Sequence, residues 1–104
     1  MFNNAIIDLR ILKQNAINLK KRLNKGQKFC AVVKADAYGH GAEEIANALY
    51  YYCDYFAVAL IEEGVRLRLS GIDKDILVLT PPTPSDIDIG VRYGLTFTID
   101  NPLY

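Results

Sequence analysis

Short apolar runs alternate with longer amphipathic stretches along this chain. Cys30–Val33 (CAVV), Tyr55–Leu60 (YFAVAL), Ile76–Thr80 (ILVLT) and Leu95–Ile99 (LTFTI) are apolar and rich in β-branched or aromatic residues, and Ala5–Asp8 is a shorter strand-like entry. Such runs, bounded by glycine, proline or charge, predict strands of a parallel sheet buried on both faces. Between them the apolar positions recur at helical spacing. Leu12, Ala16, Leu19 and Leu23 predict a helix that Asp8 can cap and Gly26 can end. Ile45, Leu49 and Tyr52 predict a second helix after Gly41, and the neighbouring Tyr50 and Tyr51 read as packing at a layer boundary rather than as an aromatic binding box.

Two segments need physical arbitration. In Ile61–Leu69, Val65, Leu67 and Leu69 alternate with Arg66 and Arg68, which by period alone suits a strand. We read a helix, because Glu62 and Glu63 fall in a first turn and the arginines in a last turn. Glu62 can also pair with Arg66 four residues on, and Gly71 follows as a stop. After the third strand, Pro81, Pro82 and Pro84 delay a fourth helix until Ser85 or Asp86 can cap it, and Gly94 closes it. Strict alternation of strand and helix, with no linker or low-complexity segment, predicts right-handed crossovers and one α/β unit with parallel strands.

Composition narrows the function classes. The 104 residues carry 12 Lys and Arg against 12 Asp and Glu and are 51% hydrophobic, which suits one soluble domain. The densest basic cluster, Lys20, Lys21, Arg22, Lys25 and Lys28, sits at a helix end where cations complement the dipole, so no nucleic acid partner is expected. No apolar run approaches the roughly twenty residues of a membrane span, and no signal peptide precedes the first strand, so no membrane is expected and the location expected is cytoplasmic. Cys30 and Cys53 sit in apolar surroundings, as reduced core thiols do. Neither has metal-ligand spacing with the single histidine, His40, and no metal site is expected. His40 reads as a hydrogen-bonding residue that shapes its loop.

The candidate chemistry lies where the first full strand stops. Lys34 directly follows the apolar run, and Tyr38, Gly39 and Gly41 lie between it and the next helical pattern. A lysine at a strand end can simply snorkel into water. Alternatively, the dry strand loosens its proton and makes it a nucleophile, while the glycines admit a ligand close to the backbone and the following helix N-terminus favours an anion. The glycine-rich loop and the tyrosine hydroxyl favour the second reading, in the active-site position of α/β folds.

The unbroken run AVVKADAYGHGA, Ala31 to Ala42, resembles the pyridoxal phosphate attachment motif of bacterial alanine racemases. The likeness extends through AIIDLRILKQN, YFAVALIEEGVRLRLSGI and ILVLTPPTP. It implies the N-terminal part, about four βα units, of a (β/α)8 TIM-type barrel, residues 1–104 being a truncated barrel domain, since a whole barrel takes about 250 residues. The rest of the barrel and a C-terminal β domain are expected outside these residues.

The resemblance further implies a homodimeric enzyme that interconverts L- and D-alanine for peptidoglycan. Its Lys34 holds pyridoxal 5'-phosphate as a Schiff base and then acts as a base, and its Tyr38 donates to the cofactor phosphate. In the family the second acid or base is a tyrosine of the partner's C-terminal domain, and the arginine facing the pyridine nitrogen falls beyond Tyr104. The 104 residues alone are therefore expected to be inactive, and their unpaired sheet edges to self-associate. The alternatives are a racemase for serine or basic amino acids, a barrel decarboxylase, or a pyridoxal phosphate carrier without turnover. Tyr38–Gly41 argue against the last, because the small carriers lack the AYGHG continuation.

Overall fold

A computed structural model describes residues 8–33 and 40–99. Eight elements alternate in it: α1 (Leu9–Lys21), β1 (Cys30–Val32), α2 (His40–Leu49), β2 (Tyr55–Val58), α3 (Ile61–Leu69), β3 (Ile76–Val78), α4 (Pro84–Tyr93) and β4 (Thr96–Phe97). The strands form one sheet in the order β1-β2-β3-β4, every pair parallel. Such a sheet requires each helix to carry the chain back across it, and consecutive helices accordingly touch, α1 on α2, α2 on α3 and α3 on α4. The Ile61–Leu69 stretch is a helix over that same span, so its alternating arginines do not mark a strand.

Register sorts the strand side chains into two faces. Ala31 pairs with Phe56, Phe56 with Ile76 and Val78 with Phe97, so these residues share the helix side. There Phe56 and Ile76 are 0% exposed and Val33, Val58 and Val78 are 1% exposed. They pack with Ala16, Ala46, Leu49, Ile61 and Leu67 from the helices in one core. The other face holds Cys30, Val32, Tyr55, Ala57, Leu77 and Thr96 by the same registers. The expectation of strands buried on both faces is corrected here: Val32 is 56% and Leu79 43% exposed. The helix layer lies on one side only, and an apolar run reports burial potential without saying on which side a cover arrives.

The ends of the elements follow local chemistry. Asp8 caps α1 by accepting from the backbone N–H of Arg10 (2.9 Å) and Ile11 (3.4 Å). The helix stops at Lys21, earlier than the Gly26 stop expected; Gly26, at φ 91°, belongs to the turn beyond, and Leu19 is 55% exposed rather than core. The cap of α4 falls two residues before Ser85, the earlier of the two expected. Thr83 caps it, Oγ1 accepting from Asp86 N while Asp86 Oδ2 accepts from Thr83 N at 3.0 Å. Pro84 is tolerated at the first helical position, where its missing N–H would have had no helical partner. Gly94, at φ 66°, ends α4 in the left-handed conformation, and Leu95 N then donates to Gly90 O at 2.8 Å.

Two helix glycines seat the last strand. The Phe97 ring lies where a Cβ of Gly90 would be, and a Cβ on Gly64 would come within 3.1 Å of Leu95 Cδ1. Glycine therefore lets α3 and α4 approach β4 closely, at a modest helix-propensity cost. Gly90→Ala is expected to lower stability by about 1–3 kcal/mol in urea unfolding, because Phe97 must leave its position. Val91→Ala, at a site 75% exposed, should stay within about 0.5 kcal/mol of the parent.

Candidate functional site

All four strands point the same way, so their C-terminal ends meet along one rim, where βα folds place their chemistry. The hydrogen-bond ladder there outruns the strands. Val33 N donates to Ala57 O at 2.8 Å, Leu79 N to Val58 O at 2.8 Å, and Thr80 N to Ala59 O at 3.1 Å. Thr98 adds both its N–H (3.2 Å) and its hydroxyl (2.9 Å) to Val78 O. The rim is thus a hydrogen-bonded edge, and β1 enters it through the buried Val33.

Lys34 and Tyr38, the two candidate site residues, lie outside the described residues, and so does the side chain of His40. Their immediate neighbours are described. Val33 precedes Lys34 in the chain, and α2 begins at His40, with its positive N-terminal end on the rim side of the crossover. On the open face near the rim stand Val32, Ala59 and Leu79, all exposed and all apolar. The neighbouring helices bring carboxylates. Glu63 Oε1 accepts from Leu60 N at 2.7 Å at the start of α3, and Asp86 caps α4, so both are used in holding helix N-termini. A cleft of about 80 Å³ between these two helix starts is lined by Leu60, Val78, Thr80, Pro82 and Phe97 among others. A larger one, about 390 Å³, runs between α3 and α4 on the helix layer, lined by Val65, Ile89 and Tyr93 among others, away from the rim of β1.

The opposite end of the sheet is tied rather than open. Arg68, at the end of α3, donates Nε to Tyr93 O (2.7 Å), Nη1 to Ile72 O (2.8 Å) and Lys74 O (2.6 Å), and Nη2 to Gly94 O (3.0 Å). Lys74 Nζ donates to the carbonyls of Tyr50 and Cys53 and lies 4.6 Å over the Tyr50 ring, while the Tyr50 hydroxyl donates to Asp73. In the sequence Arg68 reads only as a helix-end charge. Its role as a clamp went unseen because its partners are carbonyls with no sequence signature.

Both cysteines are free. Burial pushes the Cys30 thiol up, partly opposed by a hydrogen bond with Tyr55, and burial also pushes up Cys53, partly opposed by Lys74. Neither is therefore an activated thiolate. Among the described residues no group of three or more His, Cys, Asp or Glu is placed to hold a metal ion, and no helix is long and apolar enough to cross a membrane.

The parallel sheet, its single helix layer and its common rim define a parallel-strand α/β unit of the βα-barrel class. Comparison carries the identification further: residues 7–103 match the family model for the alanine racemase N-terminal domain, and the chain belongs to that family. The curated alanine racemase of Streptococcus pyogenes serotype M5 (strain Manfredo) is 40% identical over 95 residues, covering 91% of this chain and 26% of that protein. Among solved structures, the alanine racemase from E. faecalis superposes with a TM-score of 0.82 at 35% identity, covering 89% of this chain and 25% of that one. The enzyme from Bacillus anthracis with bound L-Ala-P gives 0.80 at 34% identity, covering 89% and 24%. The chain thus spans about a quarter of the length of these relatives.

The tied end carries a pH prediction. Donation to Asp73 holds the Tyr50 phenol above its ordinary value. A group raised in the folded state stabilises while protonated, so this contribution is full below about pH 10 and is lost as pH climbs through the folded value. The stability difference between the parent and Tyr50→Phe should therefore be constant at neutral pH and shrink above about pH 10 in chemical denaturation.

Proposed function

We propose that this chain is the cofactor-bearing part of a pyridoxal phosphate-dependent alanine racemase that interconverts L- and D-alanine in the cytoplasm and supplies D-alanine for the cell wall. The observation that supports this best is the placement of the AVVKADAYGHGA run. It begins on β1, and Val33, the residue directly after that strand, is 1% exposed and hydrogen-bonded to β2 at the rim. Lys34 is the next residue in the chain.

The described surroundings suit such a cofactor chemically. Val32, Ala59 and Leu79 offer an apolar, uncharged shelf for one side of a pyridine ring, and among the described residues of that face no carboxylate competes with a phosphate. In this reading Lys34 Nζ holds the cofactor covalently, and the Tyr38 hydroxyl donates to the phosphate, with the N-terminal end of α2 favouring the same anion. Bound there, pyridoxal phosphate withdraws electrons from the substrate α-carbon. Lys34 Nζ, once displaced, removes the α-proton or returns it on one face. Racemisation needs another acid or base on the opposite face. The resemblance assigns that role to a tyrosine of a partner subunit's C-terminal domain in a homodimeric parent enzyme, so the 104 residues alone should turn alanine over negligibly.

Incubation of the chain with pyridoxal phosphate should produce the yellow absorbance of a lysine-bound cofactor. Borohydride reduction and peptide mapping should then place the label on Lys34, and Lys34→Ala should abolish it. Equal labelling of the other lysines would overturn the assignment. In a coupled assay the same chain should show racemisation at the background rate, and turnover near that of a full-length racemase would refute the division of labour.

A further inference from the structure

The cleft of about 390 Å³ between α3 and α4 has no part in the cofactor reading. Its two walls are consecutive helices of the chain, so described residues form it whole. Ile61 and Val65 on α3, and Ile89 and Tyr93 on α4, are each a helical turn apart and line the cleft as two apolar rows. The walls are held at a set spacing. From the end of α3, Arg68 donates Nε to Tyr93 O at 2.7 Å and Nη2 to Gly94 O at 3.0 Å, which ties down the end of α4. A groove spaced in advance loses little freedom when it is filled.

The charged groups of the cleft are sorted by sign along its length. Glu62 and Asp86 stand in the first turns of α3 and α4, at the rim end, and Arg92 stands in the last turn of α4. Among the described residues neither Glu62 nor Arg92 belongs to an ion pair. Asp86 and Arg92 are about 9 Å apart along the helix axis, a span too long for one free amino acid and close to about two turns of a helix.

We infer that this cleft is a docking groove for one amphipathic helix of a partner protein, laid antiparallel to α3 and α4. Two apolar ridges receive the single apolar row of a third helix between them, so Val65 and Ile89 take its side chains. Charge sets its direction. Helices favour acids in the first turn and bases in the last. An antiparallel helix therefore brings its bases to Glu62 and Asp86 and its acids to Arg92, whereas a parallel one sets like against like at both ends. A flat lipid surface reaches neither the floor of the groove nor both signs of charge. The inference is independent of Lys34 and of the cofactor.

The test takes the isotope-labelled 104-residue chain. Its probe is a synthetic alanine-rich helix of about 18 residues with leucines at every third and fourth position, glutamates in its first turn and lysines in its last. Amide resonances of residues 61–69 and 86–93 should shift and saturate at micromolar peptide. A spin label on the peptide's N-terminus should broaden the amides around Arg92 and leave those around Glu62 sharp. A peptide with lysines first and glutamates last should bind about tenfold more weakly. Glu62→Lys combined with Arg92→Glu should exchange that preference, both positions being exposed. Ile89→Asp should abolish binding, and should it lose its far-ultraviolet dichroism the charge exchange decides alone. Absence of binding, equal binding of the two peptides, indifference to the charge exchange, or broadening around Glu62 would each overturn the inference. So would the same shifts without peptide, either on anionic vesicles or with rising chain concentration, which would assign the groove to a membrane or to a second copy.

Discussion

The constraint on which the rest depends is the alternation of side chains along three short strands. Ala31 and Val33 go into the helix layer and Val32 goes to the other face, and the register hands that choice to Phe56 and Val58 and then to Ile76 and Val78. A slip of one residue in β1 would bring Val32 into the core and expose its neighbours, so the sealed face pins the register. The same pinning delivers the chain to the rim at Val33, inside the AVVKADAYGHGA run.

The two ends of the sheet are built differently, and the difference has a physical basis. At the N-terminal end Arg68 and Lys74 spend their donors on backbone carbonyls from the turn after α2, the end of α4 and the loop before β3, which a cation does well where helix ends expose unpaired carbonyls. At the C-terminal end the helices begin, their amides are held by Asp86 and Thr83 or Glu63, and the described residues on the face beside them, Val32, Ala59 and Leu79, are apolar. Rigidity at one end and an apolar shelf at the other suit a fold that holds its shape at the bottom and works at the top. Membership of the alanine racemase family fits that division, with the likeness running from one end of the chain to the other.

Much of this architecture was legible before any coordinates. The alternation of apolar runs with amphipathic stretches carried the order of elements, and charge placement around Glu62, Glu63, Arg66 and Arg68 decided α3 against a strand-like period. Asp8 as a cap and Gly94 as a stop were equally readable, since capping involves residues three or four apart. The family was readable from AVVKADAYGHGA. Other features were not. Leu19 has the spacing of a core residue and is exposed, and the cap of α4 falls on Thr83 because Pro84 is welcome where proline was taken as a barrier.

By itself, then, the sequence determined what is local: the kind and order of the elements, most of their caps, and the position of a lysine and a tyrosine in a glycine-rich run at the end of an apolar strand. Tertiary structure alone decided which face of the sheet is sealed, that Gly90 and Gly64 are seats for Phe97 and Leu95, and that Arg68 binds carbonyls from α4 as well as from its own loop. The physical reason is range. Periodicity and capping act within a turn or two, whereas burial and carbonyl clamping also join residues more than twenty positions apart, as Gly64 with Leu95 and Arg68 with Tyr93, where no local pattern announces the partner.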